Sequence, residues 1–387
     1  MTPAARHQAA IEILDRILSG SPAEQALTTW ARASRFAGSK DRAAIRDLVF
    51  DALRCKRSFA HLGGAESGRG LILGGVHAAG HAPDEIFTGI GHAPAPLSAT
   101  EAAHLPPPMP ATVALDCPDW LEPELRASLG ADFAPVMGAL RQRAPVFLRV
   151  NTSRITTDAA QASLAAEGII TRPHLLATSA LEVTENARAV LSSAAYLDGL
   201  IDLQDVASQA VILALPPLRG ARVLDYCAGG GGKSLALAAL GAVVTAHDAA
   251  PARMRDLPAR AARAQARIAL TEAACGRFDL VLTDVPCSGS GSWRRSPDAK
   301  WRLTPARLQE LTQCQADILQ KARPHVTPGG ALAYVTCSLL ACENGTQIAG
   351  FLRSAPDFTL ETEKRLTPQD GGDGFYLAVL RNISAQG

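Results

Sequence analysis

Two cysteines stand in turns that directly follow short apolar runs, and each could supply a soft nucleophile. Cys287 lies in the sequence Asp-Val-Pro-Cys-Ser at residues 284–288, and Cys337 lies in Tyr-Val-Thr-Cys-Ser at residues 334–338. A thiolate is the nucleophilic form of cysteine, and it can form a covalent intermediate with a substrate. A single cysteine is more often a small buried apolar residue, but two in one crevice beside a ligand loop favour covalent chemistry.

A glycine run earlier in the chain predicts a nucleotide-like ligand, because such a run between a strand and a helix lets the backbone approach a ligand closely. Residues 227–234 read Cys-Ala-Gly-Gly-Gly-Gly-Lys-Ser. The run lacks the Gly-x-Gly-x-x-Gly spacing of dinucleotide enzymes, and a phosphate-binding loop would need glycine in place of Cys227. The remaining candidate ligand is the methyl donor S-adenosylmethionine. The predicted donor-binding residues are Cys227, Ala228, Gly229, Gly230, Gly231, Gly232, Lys233, Asp248 and Asp284.

Three charged residues near these loops each have two interpretations. Asp248 ends the second predicted strand, where an acid can bind ribose hydroxyls, and it can equally cap a helix before Pro251. Asp284 could hydrogen-bond a substrate ring or cap the turn that follows it. Lys233 could contact a phosphate or the substrate, or lie on the surface of the first helical turn.

A short segment after Cys287 mixes cations and indole rings in the manner of single-stranded nucleic-acid sites, where cations contact phosphates and rings stack on bases. The alternative is a loop whose tryptophans fill the core. Arg149, beside Asn151 at the end of another predicted strand, is grouped with this segment. The predicted RNA-binding residues are Arg294, Arg295, Lys300, Trp301 and Arg149.

The elements that must position these residues are the strands of a parallel sheet. From residue 203 to residue 387, apolar runs with strand character alternate with helical segments, which predicts a Rossmann-like, doubly wound domain. Ligands collect outside the carboxyl ends of strands in such a sheet. The loops after residues 221–224, 279–283 and 331–335 should therefore face one crevice.

Three further regions precede this domain. Residues 1–95 have apolar residues at helical spacing and predict a small all-α bundle. Residues 96–119 form a Pro/Ala-rich linker whose prolines disfavour both helix and strand. Residues 120–202 form a small mixed α/β adapter, with a helical run after Trp120 and short strands at residues 180–184 and 189–191. Basic residues outnumber the acids interleaved with them in part of the bundle, which fits either a phosphate-facing surface or an ordinary solvated helix face. These basic residues are Arg32, Arg35, Lys40, Arg42, Arg46, Arg54, Lys56 and Arg57.

Composition limits the class of protein. The chain has 387 residues, with 38 Lys and Arg against 37 Asp and Glu, so an RNA surface must come from the distribution of charge. Eight cysteines, with neither a signal segment nor a long apolar run, predict a reducing, cytoplasmic location without a membrane span. Because no Cys-x-x-Cys pair occurs, we expect neither a metal site nor disulfides.

The motifs together resemble the Sun/RsmB-type RNA cytosine-C5 methyltransferases. In that family the donor loop reads Cys-Ala-Ala-Pro-Gly-Gly-Lys-Thr, and the cysteine turns read Asp-Ala-Pro-Cys-Ser and Ala-Thr-Cys-Ser. Residues 148–151, 204–209, 294–301 and 373–376 also match, so the resemblance covers nearly the whole chain. It implies a NusB-like helical RNA-binding domain ahead of a class I methyltransferase domain.

This chain departs from the family pattern in the donor loop, where Gly229 and Gly230 replace Ala and Pro. We expect a looser loop before the ligand binds, with donor binding retained. A second departure is a shorter segment between Arg267 and Asp279, where Glu272 is the only candidate for contact with the adenine.

The resemblance implies that Cys337 adds to carbon 6 of cytosine, that Asp284 supports ring nitrogen 3, and that Cys287 assists product release. It implies a monomer acting on small-subunit ribosomal RNA. The alternatives are a transfer RNA methyltransferase, a DNA cytosine methyltransferase with the Pro-Cys turn as nucleophile, and an inactive assembly factor that binds ribosomal RNA.

Overall fold

A computed structural model of the chain describes residues 1–384. The chain divides into two compact units. The first unit comprises Met1–Arg143 and Trp293–Leu303, and the second comprises Ala144–Ser292 and the chain from Thr304 onwards. Residues 293–303 therefore belong to the first unit, although the cysteine turns that precede and follow them in the sequence belong to the second.

The first unit is all-α, as the helical periodicity of residues 1–95 predicts. Thr2 caps the first helix by accepting a hydrogen bond from the backbone N–H of Ala5, and a proline occupies its first turn. The apolar positions of the first and third helices, such as Ile13 and Val49, are fully buried in one core. The helices of this part of the chain are α1 (Pro3–Leu18), α2 (Ala23–Ala33), α3 (Ser39–Arg54), α4 (Lys56–Gly63), α5 (Gly68–Ala78), α6 (Ala99–Ala102), α7 (Ala111–Ala114), α8 (Glu122–Leu129) and α9 (Phe133–Leu140).

The grouping of the chain differs from the predicted domain boundaries. Residues 96–119, predicted as a linker without helix or strand, contain α6 and α7. The helical run predicted after Trp120 consists of two helices, because Gly130 (φ 58°) ends α8 in a conformation that favours glycine. Both helices belong to the first compact unit. The separate domains at 96–119 and 120–202 remain a prediction.

The second unit begins with a four-stranded antiparallel sheet in the order β2-β3-β1-β4. The predicted strand at residues 180–184 lies within β3, but residues 189–191 form a 3-10 helix instead of a strand. Asn186 adopts a left-handed φ of 56° at that point and turns the chain out of the sheet. The elements are β1 (Val146–Val150), α10 (Thr157–Ala166), β2 (Ile170–His174), β3 (Ala177–Glu185), α11 (Ala194–Leu197) and β4 (Ile201–Leu203).

A seven-stranded sheet in the order β10-β11-β9-β8-β5-β6-β7 follows. Five neighbouring strands are parallel, and the last two strands of the chain add antiparallel at one edge. The elements are α12 (Val206–Leu213), β5 (Arg222–Asp225), α13 (Gly232–Ala239), β6 (Val243–His247), α14 (Leu257–Ala264), β7 (Ile268–Thr271), β8 (Phe278–Asp284), α15 (Pro297–Arg302, in the first unit), α16 (Pro305–Ala322), β9 (Val326–Thr336), α17 (Gly345–Ser354), β10 (Phe358–Leu366) and β11 (Phe375–Asn382).

The sheet separates two apolar cores, as a doubly wound fold requires. Val223 and Leu224 are neighbours in β5, yet Val223 packs in one core and Leu224 in the other. Successive side chains of a strand point to opposite faces, so a strand covered on both faces is apolar throughout. The predicted Rossmann-like fold is confirmed, with the carboxyl ends of its parallel strands at one edge.

Candidate active site

The three loops that carry the sequence motifs follow adjacent strands. β5, β8 and β9 are parallel neighbours, with Leu224 opposite Val281 and Asp284 opposite Val335. Because their carboxyl ends meet at one edge, the glycine loop and both cysteine turns lie together, as predicted.

The thiols of Cys287 and Cys337 are 3.4 Å apart, and both side chains are partly exposed. A hydrogen bond from Cys287, supported more weakly by the positive charge of Lys233, lowers the pKa of the Cys337 thiol below its usual value. The same hydrogen bond and burial raise the pKa of Cys287. The pair therefore favours a thiolate on Cys337 and a proton on Cys287.

Lys233 and Asp284 form an ion pair beside the thiols. The ammonium Nζ donates to Asp284 Oδ2 at 2.6 Å, and the lysine side chain is largely buried. Burial by itself lowers the pKa of Lys233, but the attraction and hydrogen bond of Asp284 raise it overall. The surface interpretation of Lys233 is thereby wrong, since its charge faces a carboxylate within the site.

Asp225, at the end of β5, is a fully buried carboxyl group that the motif comparison overlooked. Its Oδ2 accepts a hydrogen bond from Ser234 Oγ at 2.6 Å, and its Oδ1 has no partner among the described residues. Burial raises the pKa of Asp225 to about 7, opposed by the Ser234 hydrogen bond. Its position directly before the glycine loop was the available signal.

Asp248 is buried against the glycine loop. Its Oδ2 accepts a hydrogen bond from the backbone N–H of Gly229 at 2.9 Å, and its Oδ1 accepts one from Ala250 at the same distance. Arg253 approaches the same carboxylate to 3.2 Å. The carboxylate thus joins the two strand-end loops. The predicted helix cap before Pro251 is wrong, since Ala250 is the N-cap of the short 3-10 helix Pro251–Met254 and no side chain caps it. The ribose contact remains a prediction.

The glycine loop needs glycine at one position for space as well as conformation. Gly231 has a φ of 79°, and a Cβ placed there would lie 2.1 Å from Leu257 Cδ1. A Cβ at Gly230 would meet only the end of the flexible Arg260 side chain, at 3.3 Å. The departure from the family at Gly230 therefore lies where the loop tolerates a side chain.

A cavity of about 760 Å³ opens beside this loop. Tyr226, Cys227 and Asp248 line one side of it. The other side is a polar face of α16, contributed by Gln309, Gln313 and Asp317. Sequence reasoning missed this helix, because polar residues four apart look the same on a solvated face as on a ligand-binding face. Glu272, the weak candidate for adenine contact, is exposed and does not line the cavity.

Of the predicted RNA-binding residues, three are buried and two are partly exposed. Lys300 is 1% exposed, and its Nζ donates to the backbone carbonyl of Arg54, while Trp301 Nε1 donates to that of Leu53 at 2.7 Å. Arg294 is 5% exposed, and its carbonyl accepts a hydrogen bond from Arg54 Nε. These contacts show the segment filling the core of the helical unit, the alternative interpretation.

The prediction of surface RNA contacts is therefore wrong for Lys300 and Arg294. Burial lowers the pKa of Lys300 to about 8, which is the electrostatic cost of this placement. Arg149 is likewise buried, at 4% exposure, and its Nε has no partner among the described residues. Arg295 and Trp301 are partly exposed, so their RNA contacts stay predictions.

Across residues 1–384, no cluster of three or more potential metal ligands occurs, and the eight cysteines are free thiols. In the same part of the chain, no helix has the length and apolar character needed to cross a membrane.

Comparison with solved structures supports the fold. The crystal structure of PH0851 superposes with a TM-score of 0.78 at 22% identity, covering 98% of this chain and 99% of that one. A methyltransferase homologue from Pyrococcus horikoshii superposes with a TM-score of 0.62 at 24% identity, covering 70% and 97%. The fold and the strand-end loops thus define the class, a Rossmann-like methyltransferase fold.

Sequence comparison defines the family within that class. Residues 212–381 match the family 16S rRNA methyltransferase RsmB/F, and residues 117–190 match its ferredoxin-like domain. Ribosomal RNA small subunit methyltransferase B of Erwinia tasmaniensis is 38% identical over 282 residues, which cover 68% of this chain and 66% of the relative. The chain belongs to the RsmB/F methyltransferase family, and it spans just under two thirds of the length of this relative.

Proposed function

We propose that the chain transfers a methyl group from S-adenosylmethionine to carbon 5 of a cytosine in small-subunit ribosomal RNA. The observation that carries the proposal is the thiol pair, in which the pKa of Cys337 is lowered while that of Cys287 is raised. A thiol with a lowered pKa is one form of activated nucleophile for covalent catalysis. The family membership agrees with it.

Carbon 5 of cytosine is a poor nucleophile, so the ring must first be activated. The Cys337 thiolate adds to carbon 6, and the new S–C bond makes carbon 5 an enamine carbon that can take the methyl group. Asp284 contacts ring nitrogen 3, and Lys233 fixes the orientation of that carboxyl group through the 2.6 Å ion pair. A base then takes the carbon 5 proton, the carbon 5–carbon 6 double bond re-forms as the S–C bond breaks, and Cys337 leaves as a thiolate, with Cys287 assisting this release.

The residues around the cavity fit the methyl donor. S-adenosylmethionine supplies an electrophilic methyl group when bound, and its ribose hydroxyls need acceptors such as the carboxylate of Asp248. A cavity of about 760 Å³ is within the usual range for ligands of this size. Gly231 and Gly232 lie at the start of α13, where the backbone approaches the ligand closely.

The helical unit offers an RNA surface smaller than the one predicted. Several of the eight basic residues are engaged within the unit, for example Arg46 with Glu24 and Arg57 with Asp119. The turn between α2 and α3 instead carries a patch of exposed residues, including an aromatic ring that is 77% exposed. We define this α2–α3 patch as Arg32, Arg35, Phe36 and Lys40.

Cations beside an exposed ring suit single-stranded RNA, since cations bind phosphates and the ring can stack on a base. The α2–α3 patch therefore supports RNA as the partner. We further propose a cytoplasmic location, because free thiols persist in a reducing compartment. We also propose that the protein is a monomer, as the family resemblance implies. Size-exclusion chromatography with light scattering tests the monomer, and a stable dimer at micromolar concentration would contradict it.

The thiol pair also distinguishes between the rival enzymes. A DNA cytosine methyltransferase would attack with the cysteine of the Pro-Cys turn, which here is Cys287. Because the hydrogen bond to Cys337 and burial raise the pKa of Cys287, its thiol is the poorer nucleophile of the two. The experiment below distinguishes the proposed enzyme from the inactive assembly factor and from the transfer RNA enzyme.

The test incubates Cys287→Ala and Cys337→Ala with labelled methyl donor and protein-free small-subunit ribosomal RNA, followed by a denaturing gel. We expect a covalent protein–RNA band for Cys287→Ala alone, since release fails after the adduct has formed. Cys275→Ala, which removes an exposed cysteine, is the control and should transfer methyl groups normally.

The reverse pattern, with a band for Cys337→Ala alone, would assign the nucleophile to Cys287. No band and no methyl transfer by the unmodified protein would reject this RNA. Labelling of transfer RNA in a parallel reaction would then favour the transfer RNA enzyme, and absence of donor binding by calorimetry would favour the assembly factor.

A further inference from the structure

A buried carboxylate behind the thiols connects the two cysteine turns. Glu343 is fully buried, and its Oε1 accepts hydrogen bonds from the backbone N–H of Ser288 at 2.8 Å and from Gln315 Nε2 at 2.9 Å. Its Oε2 accepts from the hydroxyls of Ser288 and Ser338. Ser288 directly follows Cys287, and Ser338 directly follows Cys337, so one carboxylate holds both turns.

The neighbours of this carboxylate extend the same connection. Gln315 Nε2 also donates to the backbone carbonyl of Pro286 at 3.0 Å, on the other side of Cys287. Asn344 accepts from Thr336 Oγ1 at 2.6 Å and donates to the carbonyl of Ser338 at 2.9 Å, which brackets Cys337. Both oxygens of Glu343 and both polar side-chain atoms of Asn344 are paired in this network, and only Gln315 Oε1 has no partner among the described residues. These bonds hold both turns to one buried frame.

The charge of Glu343 acts differently on the two thiols. It adds to the effects of the Cys337 hydrogen bond and of burial, which are the main causes of the raised pKa of Cys287. At Cys337, the main cause of the shift is the hydrogen bond from Cys287. A negative charge at this position therefore disfavours the thiolate of Cys287.

We propose that Glu343 is a positioning residue of the methyl transfer, which holds the two thiols at contact distance and keeps the proton on Cys287 so that Cys337 is the thiolate. This rests on the proposed function for its catalytic meaning, while the distribution of the proton can be measured without RNA. The partner it acts on is the Cys287 thiol, through Ser288.

The test is Glu343→Gln, which keeps the shape and removes the charge. The Ser288 and Ser338 hydroxyls can turn to accept from the new amide, so the network can persist. Iodoacetamide labelling, quantified by mass spectrometry at both cysteines near neutral pH, should show the Cys337-to-Cys287 labelling ratio falling severalfold. Glu361→Gln, which removes an exposed glutamate paired with Arg381, is the control and should keep the ratio of the unmodified protein.

With an active RNA, kcat of Glu343→Gln should fall roughly tenfold or more, with KM for RNA unchanged, since a misplaced proton impairs the chemical step. An unchanged labelling ratio overturns the proposal, including the case in which both cysteines simply become more reactive together. If the variant does not fold, Ser338→Ala, which removes the hydroxyl that joins Glu343 to the Cys337 turn, replaces it and must lower the ratio. Absence of methyl transfer by the unmodified protein would count against the proposed function, whereas the labelling ratio would still decide the role of Glu343.

Discussion

At the scale of single residues, the site consists of charges and thiols that change one another's proton affinity. The thiol pair, the Lys233–Asp284 ion pair and the buried Asp225 lie at or after the ends of neighbouring strands. Neighbouring groups shift the pKa values of Cys337 and Lys233, and burial raises that of Asp225. Perturbed groups clustered at strand ends are typical of active sites. Two predictions belong to this scale.

Lys233→Met should weaken the nucleophile. The hydrogen bond from Cys287 is the main cause of the lowered pKa of Cys337, and the positive charge of Lys233 adds to it while Asp284 opposes it. Loss of the lysine removes the favourable charge and leaves Asp284 unneutralised, so the pKa of Cys337 should rise. The pH profile of Cys337 alkylation should move to higher pH. A profile that stays in place would show that the hydrogen bond alone determines the reactivity.

Asp225→Asn should change how stability depends on pH. Burial raises the folded-state pKa of Asp225 to about 7, well above the ordinary value of 3.8 for an aspartate. The contribution of Asp225 to stability is therefore complete below its unfolded-state pKa. As pH rises from there through the folded-state pKa, this contribution is lost at about 1.4 kcal/mol per pH unit. Thermal unfolding of the unmodified protein and of the variant should diverge between pH 5 and 8, with the variant gaining relative stability at pH 8. Parallel curves would contradict this.

At the scale of elements, adjacent parallel strands bring the motifs together. β5, β8 and β9 each end in a motif loop, and the glycine loop turns directly into α13. The turn depends on the left-handed conformation of Gly231 and on its close approach to Leu257 in α14. A methyl group added at Gly231 should therefore disturb this loop.

Gly231→Ala should reduce donor binding and stability together. A β-carbon there meets Leu257 Cδ1 at 2.1 Å in an unfavourable backbone conformation, so we expect a loss of about 1–3 kcal/mol in stability. Gly230→Ala is the matched control, because its nearest neighbour is a flexible arginine end. Calorimetry with S-adenosylmethionine and thermal unfolding should separate the two variants. Equal donor affinity in both would show that the loop adapts.

At the scale of the whole molecule, the chain combines an all-α unit with a two-sheet unit, and its charge is nearly balanced overall. The proposed RNA binding must therefore come from local surfaces, for which the α2–α3 patch is the candidate. The binding free energy of such a patch comes largely from phosphate contacts and falls as salt rises.

The triple substitution Arg32→Gln, Arg35→Gln and Lys40→Gln should weaken RNA binding and should make the remaining binding less dependent on salt. Each lost phosphate contact should reduce the slope of log affinity against log salt by about 0.7 for single strands. Arg126→Gln, in the same unit but paired with Glu122, is the control. Filter binding across a salt series measures both slopes, and an unchanged slope in the triple variant would exclude the patch from the RNA interface.

Short-range signals in the sequence were enough to predict the strand ends and loops that form the site. The predicted strand ends at residues 224, 283 and 335 lie one residue before the observed ends at Asp225, Asp284 and Thr336, because β-patterning and turn residues act over a few neighbours. The same local signals identified both cysteine turns and the glycine loop. They failed at residues 189–191, where a turn at Asn186 overrides a short apolar run.

Contacts between side chains that are distant in sequence depend on the tertiary structure and could not be predicted from these signals. The 3.4 Å between the two thiols follows from the order of β8 and β9 in the sheet, which no local pattern specifies. Lys300 and Trp301 have the composition of an RNA site, yet they bond to carbonyls of residues 53 and 54, some 250 positions earlier. Burial depends on such distant partners, so the same residue types can form a surface or a core, and the sequence carries no local signal that distinguishes them.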